Sequence, residues 1–292
     1  MARPALSASR TAAVLDLLTV FPERAFKISE IVEATKINIA SCHALLAALT
    51  AAGYLTRTAK RTYMLGPAVV TAGQAARRAN PVIDRAEQAA EQLFRELKIT
   101  VYLTTIVGDE ILMLRSISEQ GPNFVGTRDG QRHPYIAPLG AHLVAWSPES
   151  VIDSWIAKAG VTDEELAKEW RRSIALVRER GYQITLREPE DSSFVEMMAA
   201  MAKGAQALRY KDHAKSYLST HHPHFRQPET LVPDAFYDVN VLAAPIFSHD
   251  RGTHLSLCLA GFPSKLSGAQ ITTYADHLLR TCLRVMQDNP IF

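Results

Sequence analysis

The sequence predicts an α+β protein, and two patterns carry that prediction. Over the first 66 residues, apolar side chains recur at helical spacing in three short stretches and then give way to two β-prone runs. Beyond residue 80, β-rich runs come in pairs around turn residues, and the pairs alternate with helical stretches, as in an antiparallel sheet flanked by helices. A length of 292 residues makes two domains the expectation.

The first helix is expected to open at Ser9 as N-cap and to place Val14, Leu17, Leu18 and Phe21 on one face before Pro22 stops it. Ser29 is the expected N-cap of a two-turn helix that buries Ile31 and Val32. After the turn Lys36-Ile37, Asn38 caps a third helix that buries Cys42, Leu45, Leu46 and Leu49. Gly53 follows its end, where a left-handed backbone suits glycine. Tyr54–Arg57 and Arg61–Leu65 then read as a hairpin with a basic tip.

Helix, short helix, turn, helix and basic hairpin form the layout of a winged helix-turn-helix. Its chemistry suits DNA, with a helix N-terminus in the major groove and a wing along phosphates. Asn38, Ile39, Ser41, His43 and Ala44 are the candidate base-facing positions, with Ile39 suited to a thymine methyl. Arg57, Lys60 and Arg61 are the candidate wing contacts, and Arg10 and Lys36 complete the DNA-facing set. Residues 1–80 carry ten Lys/Arg against four Asp/Glu, whereas the remainder carries 22 against 26, so the polyanion contact is expected in the first part. A three-helix protein-interaction module is the alternative, and the basic wing weighs against it.

An Ala-rich helical stretch, Ala68–Ala79, ends in Arg77-Arg78 before Asn80-Pro81 and places the domain break near residue 80. Downstream, Asp84–Leu97 is helical, and Thr100–Val107 pairs with Glu110–Ser116 around Gly108-Asp109. Gly140–Trp146 is an apolar helical stretch, and Ser147-Pro148 opens the next helix, which Gly160 closes. Thr162 with Glu165 is a capping box for a helix ending at Gly181. Tyr182–Leu186 is a strand, Val239–Phe247 and His254–Ala260 form a hairpin, and Ser267 caps a final helix.

With 47% apolar and 21% charged residues, the chain is an ordinary globular one, which excludes disorder and collagen-like repeats. No uncharged apolar run approaches the roughly 18–20 residues of a membrane helix. The start lacks the apolar core of a secretory signal. Cys42, Cys258 and Cys282 are odd in number and widely spaced, as expected of reduced thiols in the cytoplasm. No phosphate loop, dinucleotide fingerprint or nucleophile elbow is present, so no catalytic residue and no cofactor is expected.

Ser29–Thr35, Ser41–Leu49, Ala52-Gly53-Tyr54-Leu55 and Tyr63–Pro67 resemble the N-terminal domain of IclR-type transcriptional regulators. Gly130–Ala141, Glu179-Arg180-Gly181-Tyr182 and Leu242–Ile246 resemble the effector-binding domain of the same family, which is GAF-like. The resemblance implies a winged helix-turn-helix over 1–66, a linker helix over 67–80 that pairs two such domains, and a GAF-like effector-binding domain over 81–292. It implies a double-stranded palindromic operator, a small-molecule effector, and self-association as a dimer or dimer of dimers, with no membrane partner. Where the family usually has arginine after the helix histidine, this chain has Ala44, so a basic contact is absent there.

The resemblance also implies an effector pocket at Leu139, Gly140, Ala141, Thr185, Val241, Cys258 and Ala260. Val241 stands where the family has cysteine, Cys258 and Ala260 where it often has serines, and Ala141 where it has lysine. A pocket without those polar groups favours a more apolar, aromatic acid as effector, because unpaired polar groups are costly to bury.

The 60 residues from Gln183 to Leu242 exceed the family's usual spacing, with an insertion at about 188–238. A helix over about 194–210 and then a Pro/His-rich loop are expected there. His213, His221, His222 and His224 with Asp212 lack the fixed spacing of a metal site, and no metal is expected. The rival reading is a metabolic enzyme on a regulator-like scaffold that uses this His-rich insertion.

Overall fold

A computed structural model describes residues 5–119, 128–160, 163–187, 227–247 and 253–287. The first three helices are α1 (Leu6–Val20), α2 (Ile28–Thr35) and α3 (Ile39–Ala51). Strands β1 (Leu55–Arg57) and β2 (Tyr63–Leu65) pair antiparallel, Leu55 opposite Leu65. Leu17, Phe26, Ile31, Leu46 and Leu55 are buried together beneath them, so the helical stripes and the hairpin share one core. An isolated bridge from Phe26 to Tyr63 ties the wing to the turn before α2.

Two of the caps expected in this first part are corrected. Helix α1 starts at Leu6, and Ser9 lies inside it, its hydroxyl donating to the Ala5 carbonyl at 3.4 Å. Leu6 and Ala8 are strong helix formers, so the helix runs back past Ser9. Helix α2 starts at Ile28, and Ser29 lies in its first turn. The Glu30 carboxylate accepts from the Lys27 backbone N–H at 2.7 Å, and that bond lowers the Glu30 pKa. Asn38 caps α3 as expected, its side-chain oxygen accepting from the Ser41 N–H at 2.9 Å.

Helix α4 (Pro67–Ala79) buries none of its residues. Helix α5 (Pro81–Leu97) begins earlier than Asp84, with Pro81 at a first-turn position where proline is favoured. The larger sheet contains β3 (Thr100–Val107), β4 (Glu110–Ile117), β5 (Arg132–Pro134), β6 (Gln183–Leu186), β8 (Val239–Phe247) and β9 (Thr253–Ala260). Its order is β5-β4-β3-β9-β8-β6, and every neighbouring pair is antiparallel. Strands β7 (Phe236–Tyr237) and β10 (Leu266–Ser267) form a separate pair.

The alternation of strand residues sorts the sheet into two faces. Leu103, Ile184, Leu242, Ala244, Leu257 and Leu259 point to one face and pack on α5 and α9 (Gly268–Gln287). Ser267 and Gln270 cap α9 reciprocally, the Gln270 N–H donating to the serine hydroxyl and the glutamine oxygen accepting from the Ser267 N–H. The opposite face receives α6 (Ala141–Val144), which packs with α7 (Glu149–Ala157) and α8 (Glu164–Arg180) around Trp155 and Trp170.

Pro148, not Ser147, is the N-cap of α7, because its extended ψ of 150° leaves Glu149 as the first helical residue. Asp163 caps α8, accepting from the N–H groups of Glu165 and Leu166, while Thr162 lies outside the described residues. The expected helix over 194–210 and the histidines at 213, 221, 222 and 224 also lie outside them. The described end of that segment is tied down. Gln227 accepts from the Ile184 N–H at 3.0 Å, so it continues the hydrogen bonding along the outer edge of β6.

Candidate nucleic-acid interface and buried polar relay

The N-terminus of α3 projects from the head formed by α1–α3 and the wing. Ile39 is 51% exposed at this tip. His43 and Ala44 are exposed beside it, and Ser41 is half-buried. The Asn38 side-chain oxygen is already taken by its cap bond, so only its amide N–H₂ is free of that bond. Arg10 reaches from α1 to donate to the Ser41 hydroxyl at 3.4 Å, which places a guanidinium at the same tip. Lys36, with φ 59°, ends α2 in the left-handed region and is exposed next to it.

The wing turn is tight. The Arg61 N–H donates to the Thr58 carbonyl at 2.9 Å, and the Thr58 and Thr62 hydroxyls are bonded at 2.6 Å. Lys60 and Arg61 are therefore held out at the tip, and Arg57 lies with its guanidinium 5.9 Å from the Tyr63 ring centre. The structure thus brings Arg10, Lys36, Asn38, Ile39, Ser41, His43 and Ala44 to one tip and Arg57, Lys60 and Arg61 to the wing. Cations and small polar groups in this pattern suit a phosphate backbone with a groove between.

In the second half, the sheet register places the expected pocket residues side by side. Thr185 pairs with Val241, which pairs with Ala260, and one step along Gln183, Ala243, Cys258 and Tyr102 form the next row. Leu139, Gly140 and Ala141 lead into α6 above this face. Gly140 has φ +81°, and a Cβ there would stand 3.0 Å from the Tyr135 ring, so glycine is required on both grounds.

The face is held to α6 by a chain of hydrogen bonds that the sequence did not announce. Gln183 Oε1 accepts from the His142 backbone N–H at 3.1 Å and lies 2.8 Å from His142 Nδ1. The backbone donor fixes which end of the Gln183 amide faces the histidine, so Nδ1 carries the proton. His142 Nε2 is then an acceptor, and the Ser256 hydroxyl, 3.1 Å away, donates to it. Thr104 in turn donates to Ser256 at 2.6 Å, and Gln183 Nε2 donates to the Thr185 hydroxyl at 3.1 Å.

Burial pulls the His142 pKa down from 6.5 to about 4, opposed by its Gln183 bond, so the imidazole is neutral at pH 7. Serine, histidine and an orienting amide in series resemble the parts of a nucleophilic site. Here Ser256 is fully buried and its hydroxyl is shared with Thr104. The Cys258 thiol is likewise pushed up to about 12 by burial, so it stays protonated and unreactive. The relay joins α6 to β6, β9 and β3.

The signal for this relay was present but indirect. Gln183 and Thr185 share a strand face, as do Ser256 and Cys258, but only the antiparallel register brings the two strands to one histidine. Among the described residues, no group of three or more His, Cys, Asp or Glu is placed to hold a metal ion, and no helix is long and apolar enough to cross a membrane.

Residues 7–59 match the IclR helix-turn-helix domain. No curated protein matches the chain. Among solved structures, an IclR transcriptional regulator from Alicyclobacillus acidocaldarius aligns with a TM-score of 0.68 at 20% identity, covering 98% of this chain and 99% of that one. An IclR homolog from Microbacterium hydrocarbonoxydans, complexed with 4-hydroxybenzoate, aligns with a TM-score of 0.62 at 17% identity, over 97% and 98% of the two chains. The IclR of Thermotoga maritima aligns at 0.55 and 16% identity, over 96% and 97%. At these identities the likeness is one of fold, and it extends over nearly the whole chain.

Proposed function

We propose that this chain, with an IclR helix-turn-helix domain at its N-terminus and the fold of IclR regulators throughout, is a ligand-responsive transcriptional regulator. In this reading residues 1–66 bind DNA, 67–80 connect, and 81–292 sense a small molecule. The observation that carries it is the exposed tip of α3 and the basic wing on a helix-turn-helix of that family. The operator is palindromic and is bound by a homodimer or dimer of dimers, because two-fold symmetry in protein and DNA go together.

The effector is a small organic acid held over the face that carries Thr185, Val241, Cys258 and Ala260. The polar groups on that face, among them Gln183, Thr185, Ser256 and the neutral His142, carry no charge and are largely bonded to one another, which favours an aromatic acid over a small, strongly hydrated one. The 4-hydroxybenzoate complex of the Microbacterium relative supports this class of ligand. The ligand regulates by binding two arrangements of the DNA-binding pair with different affinity.

Calorimetry tests the effector. Binding of 4-hydroxybenzoate or benzoate more tightly than glyoxylate and pyruvate is expected. Tight glyoxylate or pyruvate binding with no response to aromatic acids contradicts the assignment.

A further inference from the structure

The DNA-binding head is not held to the rest of the chain by its linker alone. Helix α4, which joins them, has no buried residue and meets α5 through the ion pairs of Arg77 with Asp84 and Glu87. The turn before β5 provides a seat for the head. Its backbone is pinned to β4 by the Gly130 N–H donating to the Met113 carbonyl and the Met113 N–H donating to the Gln131 carbonyl, both at 2.8 Å. The Asp129 carboxylate accepts from the Ser116 N–H at 2.6 Å on the same strand.

Three contacts rise from this turn to the C-terminal half of α1. Arg132 pairs with Asp16, Nη2 donating to Oδ1 at 3.2 Å with Nε 3.2 Å from Oδ2, while its Nη1 donates to Glu110 at 3.0 Å. Gly130, at φ +80°, lies so close to Thr19 that an added Cβ would stand 2.7 Å from the threonine methyl. The Arg128 guanidinium lies 5.2 Å from the ring centre of Phe21, which belongs to the core of the head. Salt bridge, close backbone approach and cation–π contact thus converge from three alternate positions, 128, 130 and 132, onto one helix face and its end.

The seat leaves the DNA-facing tip open, since Asn38, Ile39, His43, Lys60 and Arg61 stay exposed while Asp16 is engaged. It also leads directly to the sensing face. From Arg132 the chain runs through Tyr135 and Gly140 into α6, where His142 enters the buried relay.

We propose that Arg128, Gly130 and Arg132 form a docking seat for Phe21, Thr19 and Asp16 that sets the orientation of the head and passes the state of the sensing face to it. The regulatory part rests on the reading of the chain as a ligand-responsive regulator; the docking itself does not. A docked head offers its tip at one angle, so a pair of heads in a dimer accepts one half-site spacing. An undocked head, swinging on α4, accepts several.

Two variants of the full chain release the seat by unrelated means. Asp16→Arg sets two like charges against each other, and Thr19→Trp, at an exposed position of α1, drives bulk into Gly130. The native cysteines are buried, so a fluorophore pair can be placed at Lys60→Cys and Lys168→Cys. Labelled chains are mixed with excess unlabelled chain and observed one molecule at a time. A single narrow transfer efficiency in the otherwise native chain, replaced by a broad or shifted one in both variants, supports docking. A broad distribution in the native chain, or variants identical to it, overturns the proposal.

Selection from random duplex DNA, using unlabelled protein, tests the consequence. The native chain is expected to enrich half-sites at one spacing, and both variants to enrich at least two. The same single spacing in all three contradicts the regulatory part. If the native chain enriches no DNA, the regulator reading fails, and with it the regulatory part, while the fluorescence result still decides the docking.

Discussion

One oxygen, Oε1 of Gln183, accepts two hydrogen bonds from His142, from its backbone N–H at 3.1 Å and from its ring Nδ1 at 2.8 Å. This pairing determines the tautomer of the imidazole and, through it, the direction of every hydrogen bond on to Ser256 and Thr104. It also fastens the short helix α6 to strand β6, 41 residues away in the chain. Removing the amide strands two buried donors on His142. Gln183→Ala is expected to destabilise the chain by about 2–4 kcal/mol, read as a lower urea midpoint. Gln183→Glu keeps an acceptor and should lose less.

The depressed pKa of His142 makes stability depend on pH with a definite sign. The unfolded chain binds a proton near 6.5 and the folded chain only near 4, so in that window the unfolded state holds more protons. The contribution is complete above about pH 6.5 and is lost as pH falls towards 4, on the order of 3 kcal/mol in all. Carboxylates titrate nearby, so the readout is a comparison. Unfolding midpoints from pH 7 to 4.5 should fall less steeply in His142→Gln than in the native chain, and equal slopes would contradict the assignment.

Thiol chemistry provides a third check. Burial raises the pKa of Cys42, Cys258 and Cys282, so none offers an accessible thiolate near neutral pH. Ellman's reagent at pH 8 should label no cysteine in the folded chain and all three in urea. Rapid labelling of Cys258 in the folded chain would show that the sheet face bearing it is open to a molecule of that size.

At the exposed tip of α3, Asn38 acts as a helix cap through its side-chain oxygen, an atom that the proposed base recognition would also use. Asn38→Ala should lose about 1 kcal/mol of stability, whereas Asn38→Asp keeps the cap and lowers DNA affinity by adding a carboxylate beside phosphates. On the wing, Arg57→Glu with Lys60→Glu should abolish DNA binding and leave the fold intact. For single neutral changes, the salt dependence of binding should decrease by about one counterion per lost phosphate contact. Ser41→Ala and His43→Ala should weaken binding to operator more than to random DNA, and equal losses would reassign them to the backbone.

Most of the architecture was legible because it depends on local periodicity. The stripe Cys42, Leu45, Leu46, Leu49 marks α3, and the change of period after Gly53 marks the wing. Helix starts were less legible, since an N-cap is chosen by competition among neighbours. Ser9 and Ser29 have the right side chains, but Ala5 and Lys27 precede residues that are just as helical. The face proposed to take the effector was legible as a set of neighbouring strand positions only. Thr185, Val241, Cys258 and Ala260 come from four sequence positions that the register does bring together. The relay was missed because His142 sits in a stretch that reads as plain apolar helix, and its partners are 41 and 114 residues away. The seat at Arg128, Gly130 and Arg132 was missed for the same reason, since its partner face is more than a hundred residues upstream.

Sequence-specific DNA binding is decided by footprinting the purified chain on the DNA flanking its own gene, with random duplex as control and salt varied. A protected palindrome is expected that survives moderate salt and disappears with Arg57→Glu and Lys60→Glu. Binding that is blind to sequence and lost as salt rises, or no binding at low salt, would contradict it.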